Sequence, residues 1–166
     1  MLLLTTPTLT TPTLALTTDG FNPADRLLGD FFAFEDALRN GVYLAIGDFD
    51  GDGFGDLALG AGPGGGPRVL ILSGKALLTR GAVAAIASPL SNFLVANADS
   101  DRGGVRVAAT DADGDGRADL LVGTGEGRPS RVRVYLGKHF GSGEPAAFQD
   151  LDPFQSEALA DGVFVG

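Results

Sequence analysis

A chain of 166 residues, 44% hydrophobic and 20% charged, is long enough for one domain or a few small repeats and apolar enough to build a core. Twenty-one acids against 12 Lys and Arg give a net charge of −9, which removes the cationic surface that nonspecific nucleic-acid binding requires and disfavours an anionic membrane. The absence of cysteine excludes disulfides, zinc–thiolate sites and thiol nucleophiles, and 26 glycines predict tight turns between short strands.

Residues 1–22 are rich in Thr and Pro. They begin apolar at Leu2–Leu4, have no basic stretch ahead of the apolar run and are broken by Pro7 and Pro12, which makes a poor signal peptide and suits a tether or an edge strand. No apolar run approaches the roughly 18 residues of a membrane span, so none is expected.

From Phe31 the chain repeats itself. Displaced by 63 residues, Asp48–Lys75 falls on Asp111–Lys138 without a gap, and about half the positions are identical, among them Gly60/Gly123, Arg68/Arg131 and Lys75/Lys138. The units read as 31–90 and 93–147, with a partial third at 151–166 that stops before its acidic loop. Each opens on an aromatic or apolar stretch (Phe31–Leu38, Phe93–Ser100, Leu151–Ala158), followed by a glycine and a valine-led strand from Val42, Val105 or Val163. Asp56–Leu59 and Arg68–Leu72 read as the next strands, parted by a glycine-rich turn, and Arg131–Leu136 alternates polar and apolar as an antiparallel strand with one wet face does. Four short strands per unit is the period of a propeller blade. Residues 75–90 are alanine-rich and read as a connection outside the core, with at most one helical turn.

Asp-x-Asp-Gly-Asp-Gly-x-x-Asp stands at 48–56 and again at 111–119, so eight of the 21 acids lie in two nine-residue loops. Hard divalent cations take oxygen ligands, and Ca²⁺ takes about 6–8 of them. Aspartates at positions 1, 3 and 5 converge only if the backbone curls between them, which the glycines permit. The expected donors are Asp48, Asp50, Asp52, the backbone carbonyl of Phe54, and Asp56 in the first loop. In the second they are Asp111, Asp113, Asp115, the backbone carbonyl of Arg117, and Asp119. An EF-hand would place Glu at position 12, where this chain has Leu59 and Val122, so the expectation is two Ca²⁺ sites in β-hairpin loops, with the cation offsetting carboxylate repulsion. Mg²⁺, which holds its waters and demands octahedral geometry, fits less well. The alternative is a solvated Asp/Gly turn without metal.

Other motifs are weaker. Gly60-Ala-Gly62-Pro-Gly-Gly65 satisfies G-x-G-x-x-G, but an alternating strand follows where a dinucleotide site needs a helix N-terminus. His139 is the one histidine and has no nucleophile elbow to serve. Arg128, Arg131 and Arg133 are either a solvated strand face or an anion-binding surface; the recurrence of Arg68 and Arg131 suggests a shared structural role. Phe31, Phe32, Phe34 and Phe93 are expected in the blade core. Glu35, Asp36, Glu144 and Asp150 lie in no recognisable glycosidase frame.

The stretches GDFDGDGFGDLALG and TDADGDGRADLLVG resemble the calcium-loop repeats of the FG-GAP family, the blades of integrin α-subunit β-propellers. They are similar above all to the FG-GAP/VCBS-type repeats of bacterial surface proteins. The resemblance covers most of the chain from Phe31 and implies that the eight loop aspartates act as calcium ligands. It also implies a noncatalytic extracellular or cell-surface scaffold or adhesion module, binding a protein or glycan through its blade loops. The alternative is an accessory or fragment domain of a larger secreted glycan-active enzyme or surface protein. The fold expected is all-β: propeller-type blades of four antiparallel strands, two complete and a partial third, incomplete as a closed propeller in one chain. That count leaves room for a homo-oligomer to complete the ring.

Overall fold

Period-two alternation broken by glycine turns produces strands that pair with their sequence neighbours. In the computed structural model, which describes residues 28–98 and 100–166, β1 (Val42–Gly47), β2 (Asp56–Ala61), β3 (Arg68–Leu72) and β4 (Ser91–Leu94) form an antiparallel sheet in that order. The second unit supplies β5 (Val105–Thr110), β6 (Asp119–Thr124), β7 (Arg128–Pro129), β8 (Val132–Tyr135) and β9 (Gln149–Leu151). Of these, β5, β6, β8 and β9 make a second four-stranded sheet, while β7 pairs with β10 (Ala158–Leu159). Register repeats with the sequence: Gly47 faces Asp56 across the first hairpin as Thr110 faces Asp119 across the second. The Thr/Pro-rich segment 1–22 lies outside the described residues.

The all-β, blade-like architecture agrees with the reading from sequence. The fourth strand of each sheet, however, comes from the junction with the following unit, Ser91–Leu94 for the first and Gln149–Leu151 for the second.

The two sheets stack face to face. Ala58, Val69, Ile71, Phe93 and Val95 of the first bury against Val105, Val107, Leu120, Val122 and Tyr135 of the second, and the Phe93 and Tyr135 rings meet edge-on at 5.3 Å. Close approach needs glycine at Gly60, where an added Cβ would stand 2.5 Å from the Val105 carbonyl oxygen. The same event recurs one blade on: a Cβ at Gly123 would strike the Val163 carbonyl oxygen, and the Val163 N–H donates to the Thr124 carbonyl at 2.9 Å. Residues 163–165 therefore lie on the second sheet as β5 lies on the first, although they join no ladder of their own, unlike the strand expected there.

The outer face of the first sheet corrects the reading of residues 75–90. These residues form α1 (Gly74–Arg80), capped by the Ser73 hydroxyl accepting from the Ala76 N–H at 3.2 Å, and α2 (Ala82–Ala87). Ala76, Leu77 and Ala85 bury against Leu59, Leu70 and Leu72 in a second core, so this connection is core after all. Alanines at 76, 82 and 85 let short helices lie flat on a strand face, a packing that strand periodicity does not signal. Phe31 and Phe34 join this core, and Phe93 the core between the sheets, as expected. Phe32 instead stands exposed, with the Arg39 guanidinium 5.4 Å from its ring.

Gly60→Ala is expected to destabilise the fold by about 1–3 kcal/mol, because the methyl meets backbone that a rotamer change cannot move. Gly29→Ala, where a Cβ meets nothing within 4 Å, is expected to stay within about 0.5 kcal/mol. Urea midpoints of the two variants against the parent chain measure the difference.

Candidate metal centre

Each acidic loop is the connection of the first hairpin in its blade, held between β1 and β2 or between β5 and β6. The first aspartate organises it. Asp48 Oδ1 accepts the N–H groups of Gly51 at 2.8 Å and Asp52 at 3.0 Å, and its Oδ2 accepts from Gly53 at 2.9 Å. Asp111 does the same for Gly114 at 2.8 Å, Asp115 at 3.1 Å and Gly116 at 3.0 Å. Asp50 and Asp113 accept from the N–H two residues on, and so do Asp52 and Asp115, whose donors are Phe54 and Arg117. The curl runs through left-handed glycines, Gly51 at φ 76° and Gly53 at φ 84°, matched by Gly114 at 76° and Gly116 at 85°.

The ninth-position aspartates are buried pins. Asp56 Oδ2 accepts from Phe49 at 2.9 Å and its Oδ1 from Gly74 at 2.9 Å; Asp119 accepts from Ala112 and from Gly137, both at 2.8 Å. Each therefore ties the start of its loop to the glycine that follows the third strand. Burial pushes the Asp56 carboxyl above its ordinary range, while the Gly74 and Phe49 N–H groups pull it back.

Oxygens of Asp48, Asp50 and Asp56 lie within 4.8 Å of one another, as do those of Asp111, Asp113 and Asp115. Asp52 stands outside the first cluster and Asp119 outside the second. Three converging carboxylates with no competing soft donor suit a hard cation such as Ca²⁺. In both loops a lysine reaches in from the first helical residues after the third strand. Lys75 Nζ lies 3.5 Å from Asp52, whereas Lys138 Nζ bonds Asp113 and stands 3.6 Å from Asp115. The hydrogen bond from Lys138 holds the Asp113 carboxyl below its ordinary range, and the same bond raises the Lys138 ammonium. These lysines were missed as loop components by reasoning from spacing, although their recurrence in the repeat was visible.

The loops also touch each other. The Ala118 N–H, one residue before Asp119, donates to the Asp48 carbonyl at 2.8 Å. Phe49, at the second loop position, is buried between the blades and meets the Phe140 ring edge-on at 5.7 Å.

The remaining candidates serve the scaffold. Arg68 Nε donates to Asn92 at 2.9 Å and its Nη1 to Glu35 at 2.8 Å, while Arg131 lies 3.6 Å from Asp150, so the recurrent arginine grips a side chain of the fourth strand in each sheet. Arg128 pairs with Asp101 at 2.7 Å and Arg133 with Asp150 at 3.1 Å. Glu144 accepts from the Tyr135 hydroxyl at 2.6 Å and the Ala96 N–H at 2.8 Å. His139 is exposed.

The family model for the FG-GAP repeat matches residues 41–72 and 103–136, each span enclosing one acidic loop with the strands on either side. These are FG-GAP repeats. A search of curated proteins and of solved structures finds no match to the chain. The two matched spans account for β1 to β3 of the first blade and β5, β6, β7 and β8 of the second, so each FG-GAP unit here comprises three ladder strands, and the fourth is supplied downstream. No described helix is long and apolar enough to cross a membrane.

Asp56→Asn is expected to cost about 1–3 kcal/mol in chelator, since an amide nitrogen then faces buried N–H donors. Asp50→Asn, which keeps an acceptor for the Asp52 N–H, is expected to cost under about 0.5 kcal/mol under the same conditions. Denaturant unfolding in EDTA checks both.

Proposed function

We propose that this chain is a noncatalytic, calcium-stabilised extracellular module whose FG-GAP blades bind a protein or glycan ligand through their loops. One observation carries the reading: the acidic loop of each FG-GAP repeat holds a three-carboxylate cluster built on its first and third aspartates, and the first aspartate accepts the same three N–H groups in both. The residues that would hold the cations are Asp48, Asp50, Asp52 and Asp56, and Asp111, Asp113, Asp115 and Asp119, with the carbonyls of Phe54 and Arg117 completing each shell. Bound Ca²⁺ offsets carboxylate repulsion and stiffens the hairpin ends, which makes those ends a rigid platform for a ligand. In this proposal the repeats run 31–90 and 93–147, each sheet being closed by a strand from the junction that follows, with 151–166 as a partial third repeat and 1–22 as a tether or edge strand. FG-GAP repeats are typical of extracellular and surface proteins, which supports the location.

Calorimetric titration is expected to give two calcium sites with dissociation constants of about 10⁻⁴–10⁻³ M, and calcium is expected to raise the melting temperature more than magnesium does. Asp48→Asn with Asp111→Asn is expected to abolish both effects. Absence of heat at millimolar calcium overturns the reading. Screening an immobilised glycan array with and without calcium then tests for binding without turnover.

A second copy is proposed to complete the blade array. Val42, Leu44 and Ile46 on the outer face of β1 are exposed, while their repeat counterparts Val105 and Val107 are covered by a preceding blade, so the same packing is open to another chain. Light scattering in calcium is expected to give a small multiple of the 16.9 kDa chain mass, and Leu44→Glu is expected to return it to monomer. A monomeric parent chain overturns this.

A further inference from the structure

The two loops share a sequence pattern but not an electrostatic state, and the difference lies in what holds the repeated lysine. In the first loop the seventh position is Phe54, and the Lys75 ammonium stands 5.4 Å from the centre of that ring and 3.5 Å from Asp52. Asp52 is the loop aspartate outside the first cluster, so the ammonium is parked beside the clustered oxygens of Asp48, Asp50 and Asp56 and engages none of them. In the second loop the seventh position is Arg117, which offers no ring. Lys138 instead lies on Asp113 and Asp115, two of the three clustered carboxylates.

We infer that Lys138 is the resident cation of the second loop, a built-in competitor that a divalent ion must displace, whereas the matching lysine of the first loop, Lys75, stands off the clustered carboxylates and does not compete. The inference rests on the calcium reading above and adds an order of filling: first loop before second. Charge and reach support it. An ammonium offers a single charge with hydrogen-bond donors, enough to quiet two carboxylates, but it cannot gather the 6–8 oxygens of a calcium shell. It also sits on a flexible four-carbon stem, so it can leave without unfolding the blade. The Phe54 ring in the first loop acts as the parking place, since a ring face attracts an ammonium that would otherwise swing onto the carboxylates.

The test uses the full chain and calcium alone, followed by calorimetry, with melting temperature in EDTA as a second readout. Asp48→Asn with Asp50→Asn isolates the second loop; Asp111→Asn with Asp113→Asn isolates the first. Lys138→Met is expected to tighten calcium binding to the isolated second loop by roughly tenfold, the size expected for two exposed ion pairs removed. It is also expected to lower the melting temperature in EDTA and to enlarge the rise on adding calcium. Lys138→Arg, which keeps the charge, is expected to stay within about threefold of the parent, and Lys75→Met is expected to change the first loop by less than about twofold. A second loop unmoved by Lys138→Met, or two loops that respond alike to loss of their lysines, overturns the inference while leaving the calcium reading standing. Absence of calcium binding in the parent chain and every variant overturns both.

Discussion

Each blade depends on one buried carboxylate. Asp56 and Asp119 are the first residues of the second strands, out of solvent, and among the described residues no cationic side chain is bonded to them. Their oxygens are satisfied by backbone N–H groups from two distant points, the start of the acidic loop and the glycine after the third strand. Burying a bare carboxylate would cost several kcal/mol, so those donors have to be in place, and that requirement determines where the loop begins and where the third strand ends. Gly74 and Gly137 follow from it, because a Cβ at either would run into the carbonyl of Gly55 or of Ala118. The recurrence of Gly-Lys after the third strand thus has two causes side by side: glycine for the close approach to the pin and lysine for the charge on the loop.

Much of this was legible in the residues. The 63-residue displacement shows the repeat, the alternation at Arg131–Leu136 shows an antiparallel strand, and the aspartate spacing shows a loop that must curl. What escaped was whatever depends on distant partners. Ninth-position aspartate reads along the chain as a ligand, and the fold adds that its oxygens also accept backbone N–H groups from two distant points. Residues 75–90 look like linker because short alanine helices carry no strand period, yet the first sheet offers Leu59, Leu70 and Leu72 for them to cover. The offset of the fourth strand escaped for a similar reason: sequence similarity marks where a unit recurs, while hydrogen bonding decides which sheet a segment closes.

Successive blades are coupled through more than apolar area. The second residue after the glycine that opens each valine-led strand is Tyr43, Arg106 or Phe164, and the three side chains converge. The Arg106 guanidinium lies 4.8 Å from the Tyr43 ring and 5.0 Å from the Phe164 ring, and those rings stand 6.3 Å apart. Arg106 is buried, bonds the Asp161 carbonyl and leaves its Nε unpaired. Two ring faces offset part of that cost, and the result is a clamp joining the first, second and third units at one point. Loop contacts add to it, since the Ala118 N–H on the Asp48 carbonyl links the backbone of one acidic loop to the strand entry of the next.

The repeat also allows a comparison that isolates the effect of a neighbour. Val42 and Val105 occupy one position, Leu44 and Val107 another, with side chains of similar character on strands of identical register. Val105 and Val107 are 1% and 7% exposed; Val42 and Leu44 are 43% and 61%. The side chains themselves cannot account for the gap, because valine stands at both 42 and 105. The difference is a preceding blade, which covers β5, whereas among the described residues none covers β1. Helices α1 and α2, with Phe31 and Phe34, cover the β2 and β3 side of that open face but do not extend across β1. A stripe of apolar side chains is thus held on a paired strand, in the register that β5 shows buried one blade away.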